Sequence, residues 1–393
     1  MCMKRVLAFL MCIIFSSVSI SIAEDSQPIA DFDFEIDGLT VTFDASSSHG
    51  NITDYIWNFG DGEVGNGKIV SHEYKNESVY IVWLTVFDEN GKSSSVYKAV
   101  DLVPPYTICE TIPLVNGRNG WYTSKVAVKL IARDNFSIVN ATYYRIDDFP
   151  EEKYEGIFYI NGEGIYNITF YSIDALSNRE KDKKREIKID KTAPITSCNI
   201  GEEETNGWYK EDVHVILNAT DYISGVNATY YKIDGGAFCV YNGSLTIKEG
   251  GHMLKYFSVD NAGNTEVFHT LEINVDSTPP HLTISSPENF LYIFGRKIIA
   301  MENAIIIGNI TIEADCTDNL AGVVKLELYI DGDYRGNATS PPYSWLWDEP
   351  SFGKYEIKLV AYDSAGNIAT EKRDVFIINL QWMSSHSATV NSL

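Results

Sequence analysis

The carboxylates are the residues in this sequence with the most chemistry within reach. Asp61, Asp221, Asp260, Asp318 and Asp363 each stand in or beside a short turn marked by glycine. Calcium takes oxygen ligands from acidic loops of this kind, so these five are candidate calcium ligands. Their spacing is not that of an EF-hand loop. An Asp so placed also serves as an Asx turn that needs no ion, its carboxylate accepting the turn's own N–H groups. No other cofactor is expected. The seven histidines are dispersed, and there is no His-Glu-x-x-His helix, Gly-x-Ser-x-Gly elbow, Cys-x-x-Cys pair or phosphate-cradling glycine loop. His72 and His252 read as structural. No catalytic residue is expected, and the chain reads as a non-enzyme.

Three other residue types invite a function. Asn-x-Ser/Thr sequons occur at Asn51, Asn76, Asn135, Asn140, Asn167, Asn218, Asn227, Asn242, Asn309 and Asn337, which makes N-glycosylation an expectation. Trp83, Trp345 and Trp347 are candidate ligand-facing aromatics, able to stack on a sugar ring. Cys109, Cys198, Cys239 and Cys316 allow three disulfide connectivities; Cys198 with Cys239 is the pair that falls within one module, and free buried thiols are the alternative.

The N-terminus sets the compartment in which such chemistry would operate. Lys4 and Arg5 precede an apolar run that ends at Ser21-Ile22-Ala23, the pattern of a signal peptide cleaved after Ala23. No later stretch is long and apolar enough for a transmembrane anchor; Ala304 to Ile312 reads as a buried strand interrupted by Gly308 and Asn309. The formal net charge of −23 argues against nucleic acid as a partner. Secretion to the extracellular space or cell surface is therefore expected.

The elements that position these residues are strands. Short β-branched and aromatic runs are punctuated by Gly, Asn, Asp and Ser, an all-β pattern. A repeat of about 87 residues returns Asn119-Gly120-Trp121-Tyr122 as Asn206-Gly207-Trp208-Tyr209, and Asn140-Ala141-Thr142-Tyr143-Tyr144 as Asn227-Ala228-Thr229-Tyr230-Tyr231. One strand recurs four times, with the alternating sets Tyr80-Val82-Leu84-Val86-Asp88, Tyr166-Ile168-Phe170-Ser172-Asp174, His252-Leu254-Tyr256-Ser258-Asp260 and Tyr355-Ile357-Leu359-Ala361-Asp363. Residues two apart share a face, so the middle members form a core row and the closing Asp opens a turn. Boundaries fall at Val103-Pro104-Pro105, Asp190-Lys191-Thr192-Ala193-Pro194 and Asp276-Ser277-Thr278-Pro279-Pro280. The domains expected are a signal peptide at 1–23, β-sandwiches at 24–103, 104–190, 191–276 and 277–380, and a disordered tail at 381–393. Short proline linkers predict that these stand end to end as an extended rod.

Particular motifs carry a family resemblance. Phe43-Asp44-Ala45-Ser46, Tyr55-Ile56-Trp57-Asn58-Phe59-Gly60-Asp61-Gly62 and His72-Glu73-Tyr74 resemble a PKD domain, with Ser78 departing from the glycine found before the Tyr. The two duplicates resemble Ig-like repeats of bacterial and archaeal surface proteins, through an Asp-x-Thr-x-Pro linker, Tyr231-Lys232-Ile233-Asp234-Gly235-Gly236 and Asp260-Asn261-Ala262-Gly263-Asn264. The first copy has drifted at Asp147-Asp148-Phe149-Pro150 and Asp174-Ala175-Leu176-Ser177-Asn178. The last module resembles a bacterial Ig-like domain through Tyr329-Ile330-Asp331-Gly332 and Pro341-Pro342-Tyr343-Ser344-Trp345. The resemblance implies tandem immunoglobulin-like β-sandwiches acting as a structural spacer or adhesive array, with cell-envelope components, surface proteins or glycans as partners. The alternative is a carbohydrate- or protein-ligand-binding array accessory to a secreted hydrolase system.

Overall fold

The computed structural model describes residues 27–201 and 205–380. The expected signal peptide and C-terminal tail lie outside the described residues. Within them the chain is all strand and turn, with no helix, and builds tandem Ig-like sandwiches that fall into two compact units.

In the first unit, Val79–Asp88 alternates as its sequence requires. Val82, Leu84 and Val86 are fully buried while Ile81 and Trp83 face outward. It sits in a four-stranded sheet, Val64–Asn66, Ile52–Asn58, Val79–Asp88, Ser93–Asp101, that shares its core with a three-stranded sheet, Asp33–Asp37, Thr40–Asp44, Ile69–Glu73. Trp57 is the centre of that core. Its ring meets Phe32 edge-on at 5.0 Å, and its Nε1 donates to the Gly67 carbonyl at 2.8 Å, which satisfies the one polar atom the ring brings inside. Tyr80 donates back to the Asn76 carbonyl at 3.0 Å. A second pair of sheets follows, built on Tyr106–Pro113, Val126–Arg133 and Phe158–Ile160 against Val139–Ile146, Gly164–Asp174 and Lys183–Ile189. Its core, from Val126, Val128, Leu130, Ile168 and Ile187, also contains the hydroxyls of Thr107, Thr142 and Ser172, hydrogen-bonded to one another at 2.6 and 2.7 Å.

The second unit repeats this plan. Ile195–Asn199, Val213–Thr220 and Leu245–Ile247 share a core with Cys239–Val240, Val226–Ile233, Gly250–Asp260 and His269–Val275. The hydroxyl cluster recurs as Thr196, Thr229 and Ser258. The final pair is larger, with a seven-stranded sheet that includes Ala304–Ile307, Val323–Ile330, Ser351–Asp363 and Ile368–Asn379. The run from Ala304 to Ile312, expected as one strand, is two: Ala304–Ile307 lies in this sheet and Ile310–Thr317 in the three-stranded sheet opposite. Gly308 makes the crossing. Its φ is +88°, and a Cβ there would meet the Phe294 ring at 2.5 Å, so both the turn and the close approach require glycine.

Candidate metal centres at the module junctions

Each Gly250–Asp260-type strand closes on an Asp whose carboxylate is turned back into its own turn. Asp260 Oδ1 accepts the Gly263 and Asn264 amides at 2.6 and 2.8 Å, and Asp363 Oδ1 accepts Asn367 N at 2.8 Å. The Asx-turn geometry is therefore present at the closing Asp. The turn's backbone amides occupy one oxygen, and the other accepts the side-chain amide of the turn's own asparagine, Asn264 or Asn367.

The same asparagine also reaches the linker. Asp190, at the end of one module, brings a carboxylate oxygen within 4.8 Å of oxygens on Asp221 and Asp260 of the next; Asp276, Asp318 and Asp363 do the same one module later. Backbone amides hold the set: Ser224 N donates to Asp190 Oδ2 at 3.0 Å and Gly225 N to Asp221 Oδ1 at 2.6 Å, matched by Ala321 N to Asp276 Oδ2 at 2.9 Å and Gly322 N to Asp318 Oδ1 at 2.7 Å. An asparagine completes each junction. Asn264 Nδ2 reaches the Asp190 carbonyl at 3.0 Å and Asp260 Oδ2 at 2.7 Å, and Asn367 Nδ2 reaches the Asp276 carbonyl and Asp363 Oδ2 at 2.8 and 3.0 Å. Three negative groups held this close, two of them buried, are a donor set for a hard divalent cation. Burial pushes the Asp276 carboxyl up, with the charges of Asp318 and Asp363 adding to it; Asp260 is raised by burial, with Asp190 adding to it.

Four of the five expected calcium ligands thus enter these triads: Asp221, Asp260, Asp318 and Asp363. Asp61 does not. Its Oδ2 pairs with His72 Nε2 at 2.7 Å, and the His72 ring stacks on Phe59 at 4.0 Å, so its chemistry is used inside one module. The linker residues Asp190 and Asp276 mark module boundaries in the sequence, and the Asp before each Thr-x-Pro or Thr-Pro linker is the signal for their place in the triads. The repeated Asn-Gly-Trp-Tyr motif signals duplication in the sequence and has a structural role as well. Its Asn119 and Asn206 take left-handed φ values of 53° and 51° and donate from Nδ2 to the Asn261 and Ser364 carbonyls in closing turns, so the motif is a contact between modules.

The disulfide expectation requires correction. Cys198 lies on the three-stranded sheet and Cys239 on the edge of the four-stranded sheet opposite, and Cys109, Cys198, Cys239 and Cys316 are free thiols. Burial, with the nearby charge of Asp318, pushes the Cys316 thiol up to about 11, which keeps it protonated and unreactive. Trp347 is 4% exposed and belongs to the core, while Trp345 is half-buried with one side packed against that core. Trp83 is 44% exposed and lies 4.8 Å from the Tyr97 ring on the adjacent strand. All ten sequon asparagines are exposed.

The motif around Trp57 and the Asp61–His72 pair can now be set beside known proteins. Residues 25–102 match the PKD domain model. The chain carries a PKD domain. Residues 300–359 match a bacterial Ig domain. Over 84 residues, 21% of the chain, it is 32% identical to the pre-pro-metalloprotease PrtV of Vibrio cholerae, and over 82 residues it is 34% identical to the collagenase ColA of Clostridium perfringens. The matches span 9% and 7% of those two proteins. The crystal structure of the PKD1 domain from PrtV is similar at 30% identity, covering 20% of this chain and 99% of that one, with a TM-score of 0.19. PKD and Ig-like modules are typically non-catalytic. The Trp83–Tyr97 pair and the Asp61–His72 pair both belong to the PKD domain. No helix among the described residues is long and apolar enough to cross a membrane.

Proposed function

We propose that this chain is a non-catalytic extracellular or cell-surface spacer and adhesive array, in which Ig-like repeats of the bacterial and archaeal surface type join the PKD domain to the bacterial Ig domain. One observation carries the reading: the same arrangement of three aspartates and one asparagine recurs where the linker of one module enters the next. Such a device serves to fix neighbouring modules to each other, which a spacer needs and a solitary binding domain does not. Calcium at Asp190, Asp221 and Asp260 and at Asp276, Asp318 and Asp363 belongs to the proposal, since it would offset the mutual repulsion of each triad. N-glycosylation at the exposed sequons fits the same setting. The partners in this reading are envelope components or surface proteins.

A second reading has its own observation, the exposed Trp83–Tyr97 pair, which suits stacking on a glycan and an accessory role beside a secreted hydrolase. A pull-down on cell envelopes, run with a glycan array and a Trp83→Ala control, separates the two. Retention by envelopes that Trp83→Ala leaves unchanged is the expected result. Selective glycan binding lost in Trp83→Ala would replace the spacer reading with the second.

A further inference from the structure

The two repeats differ on the solvent face of their larger sheet. In the first, Tyr143 and Tyr171 stack at 5.4 Å across neighbouring strands, the Tyr171 hydroxyl donates to Glu151 at 2.9 Å, and Arg179 covers the Tyr171 ring while pairing with Asp182 at 2.6 Å. Strand pairing locates the counterparts in the second. Tyr230 faces Phe257 as Tyr143 faces Tyr171, and Cys239 faces Tyr231 as Glu152 faces Tyr144, which puts Phe238 where Glu151 stands. Glu266 N donates to the Ser258 carbonyl as Glu180 N does to that of Ser172, which puts Phe268 where Asp182 stands.

Three positions that touch one another have thus changed together, from a polar network to bare phenyl rings. The Phe257 ring meets Phe238 and Phe268 edge-on at 5.0 and 4.9 Å and stacks on Tyr230 at 5.2 Å, yet Phe238 and Phe268 remain 39% and 58% exposed. Folding does not require this face, since the first repeat forms the same sheet without it. Rings set at right angles offer clefts for apolar side chains rather than a flat platform for a sugar, and phenyl groups lack the polar handle of Trp or Tyr. Lys232 and Lys255 sit directly opposite each other on the next rung, with Lys232 Nζ 4.9 Å from the Phe238 ring, and neither pairs with a carboxylate among the described residues. Like charges so placed repel, and an acidic partner relieves them.

The chain itself carries a surface of that description. Residues 27–103 hold thirteen carboxylates against four lysines and no arginine. The solvent face of the four-stranded sheet there presents Ile56, Val64, Ile81, Trp83 and Tyr97, each at least 44% exposed. Asp54 lies on the same side of its strand as Ile56, and Lys98, the one lysine in these strands, turns away to donate to the Phe32 carbonyl. We infer that the aromatic face of the second repeat docks on the Trp83–Tyr97 face of the PKD domain in a second copy of this chain. Apolar area covers apolar area, and Lys232 and Lys255 meet the acidic domain. Two different surfaces are joined, so the contact either closes into a reciprocal pair or runs on as a chain of copies. This goes beyond the spacer reading: the array gains lateral order from its own modules, and Trp83 serves a protein contact rather than a glycan.

Two variants of the full chain separate the faces. One carries Phe238→Glu, Phe257→Tyr and Phe268→Asp, the residues that the first repeat already holds at those places; the other carries Trp83→Thr and Tyr97→Thr. Thermal melts within about 3 °C of the unsubstituted protein establish that both fold, and Phe268→Asp or Trp83→Thr alone replaces either one that melts lower. Sedimentation velocity from about 1 to 100 μM then follows the mass. The unsubstituted chain should rise to at least about twice the monomer mass, and each variant alone should stay a monomer. An equimolar mixture of the two variants should form a dimer and stop there, because a single live pair of faces is left. Dimers of the Trp83→Thr, Tyr97→Thr variant by itself would overturn the proposal in favour of pairing between two phenylalanine clusters. Monomers throughout, or association that survives both sets of substitutions, would overturn it outright.

Discussion

At the scale of residues, the Asp61–His72 pair shows how a motif that looks available for metal chemistry is spent on folding. Burial would raise Asp61, but the Glu63 amide and the His72 ring outweigh it and hold the carboxyl below its ordinary value. A carboxylate whose folded value is depressed contributes stability that is fully present above its unfolded value and lost as pH falls through the folded one. Asp61→Asn should therefore destabilise the PKD domain by about 1–2 kcal/mol at neutral pH. The difference from the unsubstituted protein should shrink between roughly pH 5 and pH 2. Urea unfolding followed by Trp57 fluorescence at several pH values measures this, and a difference independent of pH would mean that the pair contributes by packing alone.

At the scale of elements, the drifted first repeat keeps the geometry of the second. Asp147, Asp234 and Asp331 all take φ near +50°, and each uses its Oδ1 and its own amide to lock the facing strand, at Asn167, Met253 and Glu356. Divergence is the expectation here, because Asp148-Phe149 stand where the second repeat has Gly235-Gly236. The backbone pairing with the long strand held the hairpin in place. The closing turn tells the opposite story, since Ser177 sits at φ 72° where Gly263 sits at 97°. A serine in the left-handed region is strained. Ser177→Gly should raise stability by about 0.5–1 kcal/mol, net of the extra freedom glycine brings to the unfolded chain. A thermal melt that does not rise would show that the local hydrogen bonds already relieve the strain. Asn264→Ala, by contrast, removes two bonds to the preceding linker and should loosen that junction without unfolding either core; faster exchange confined to residues 190–192 and 260–264 is the expected sign.

At the scale of the molecule, the acidic excess and the junction triads act together. A formal charge of −23 works against any arrangement that gathers carboxylates, and bound calcium would lower that cost locally. Calorimetry of the full chain with and without chelator should show melting shifted downward by chelation, by about 1.4 kcal/mol for each site held at ten times its dissociation constant. An unchanged melt would remove calcium from the spacer proposal. Protein from its native host should carry added mass at several of the ten exposed sequon asparagines, and a bare chain would show that exposure alone does not bring modification.

The sequence by itself determined the all-β class and the core rows, because period-two alternation in Val79–Asp88, Gly250–Asp260 and Ser351–Asp363 leaves only one face that can be buried. It also carried the PKD motif and the bacterial Ig signature, since both consist of local runs. Four of the six triad aspartates were legible as turn residues for the same reason. The tertiary structure alone decided that Asp190 and Asp276 complete those triads, that Asn119 and Asn206 reach into a following turn, and that Cys198 and Cys239 lie on opposite sheets. Those facts depend on which segments far apart in the chain are brought face to face. That is set by the packing of one module on the next, and no spacing along a single strand encodes it.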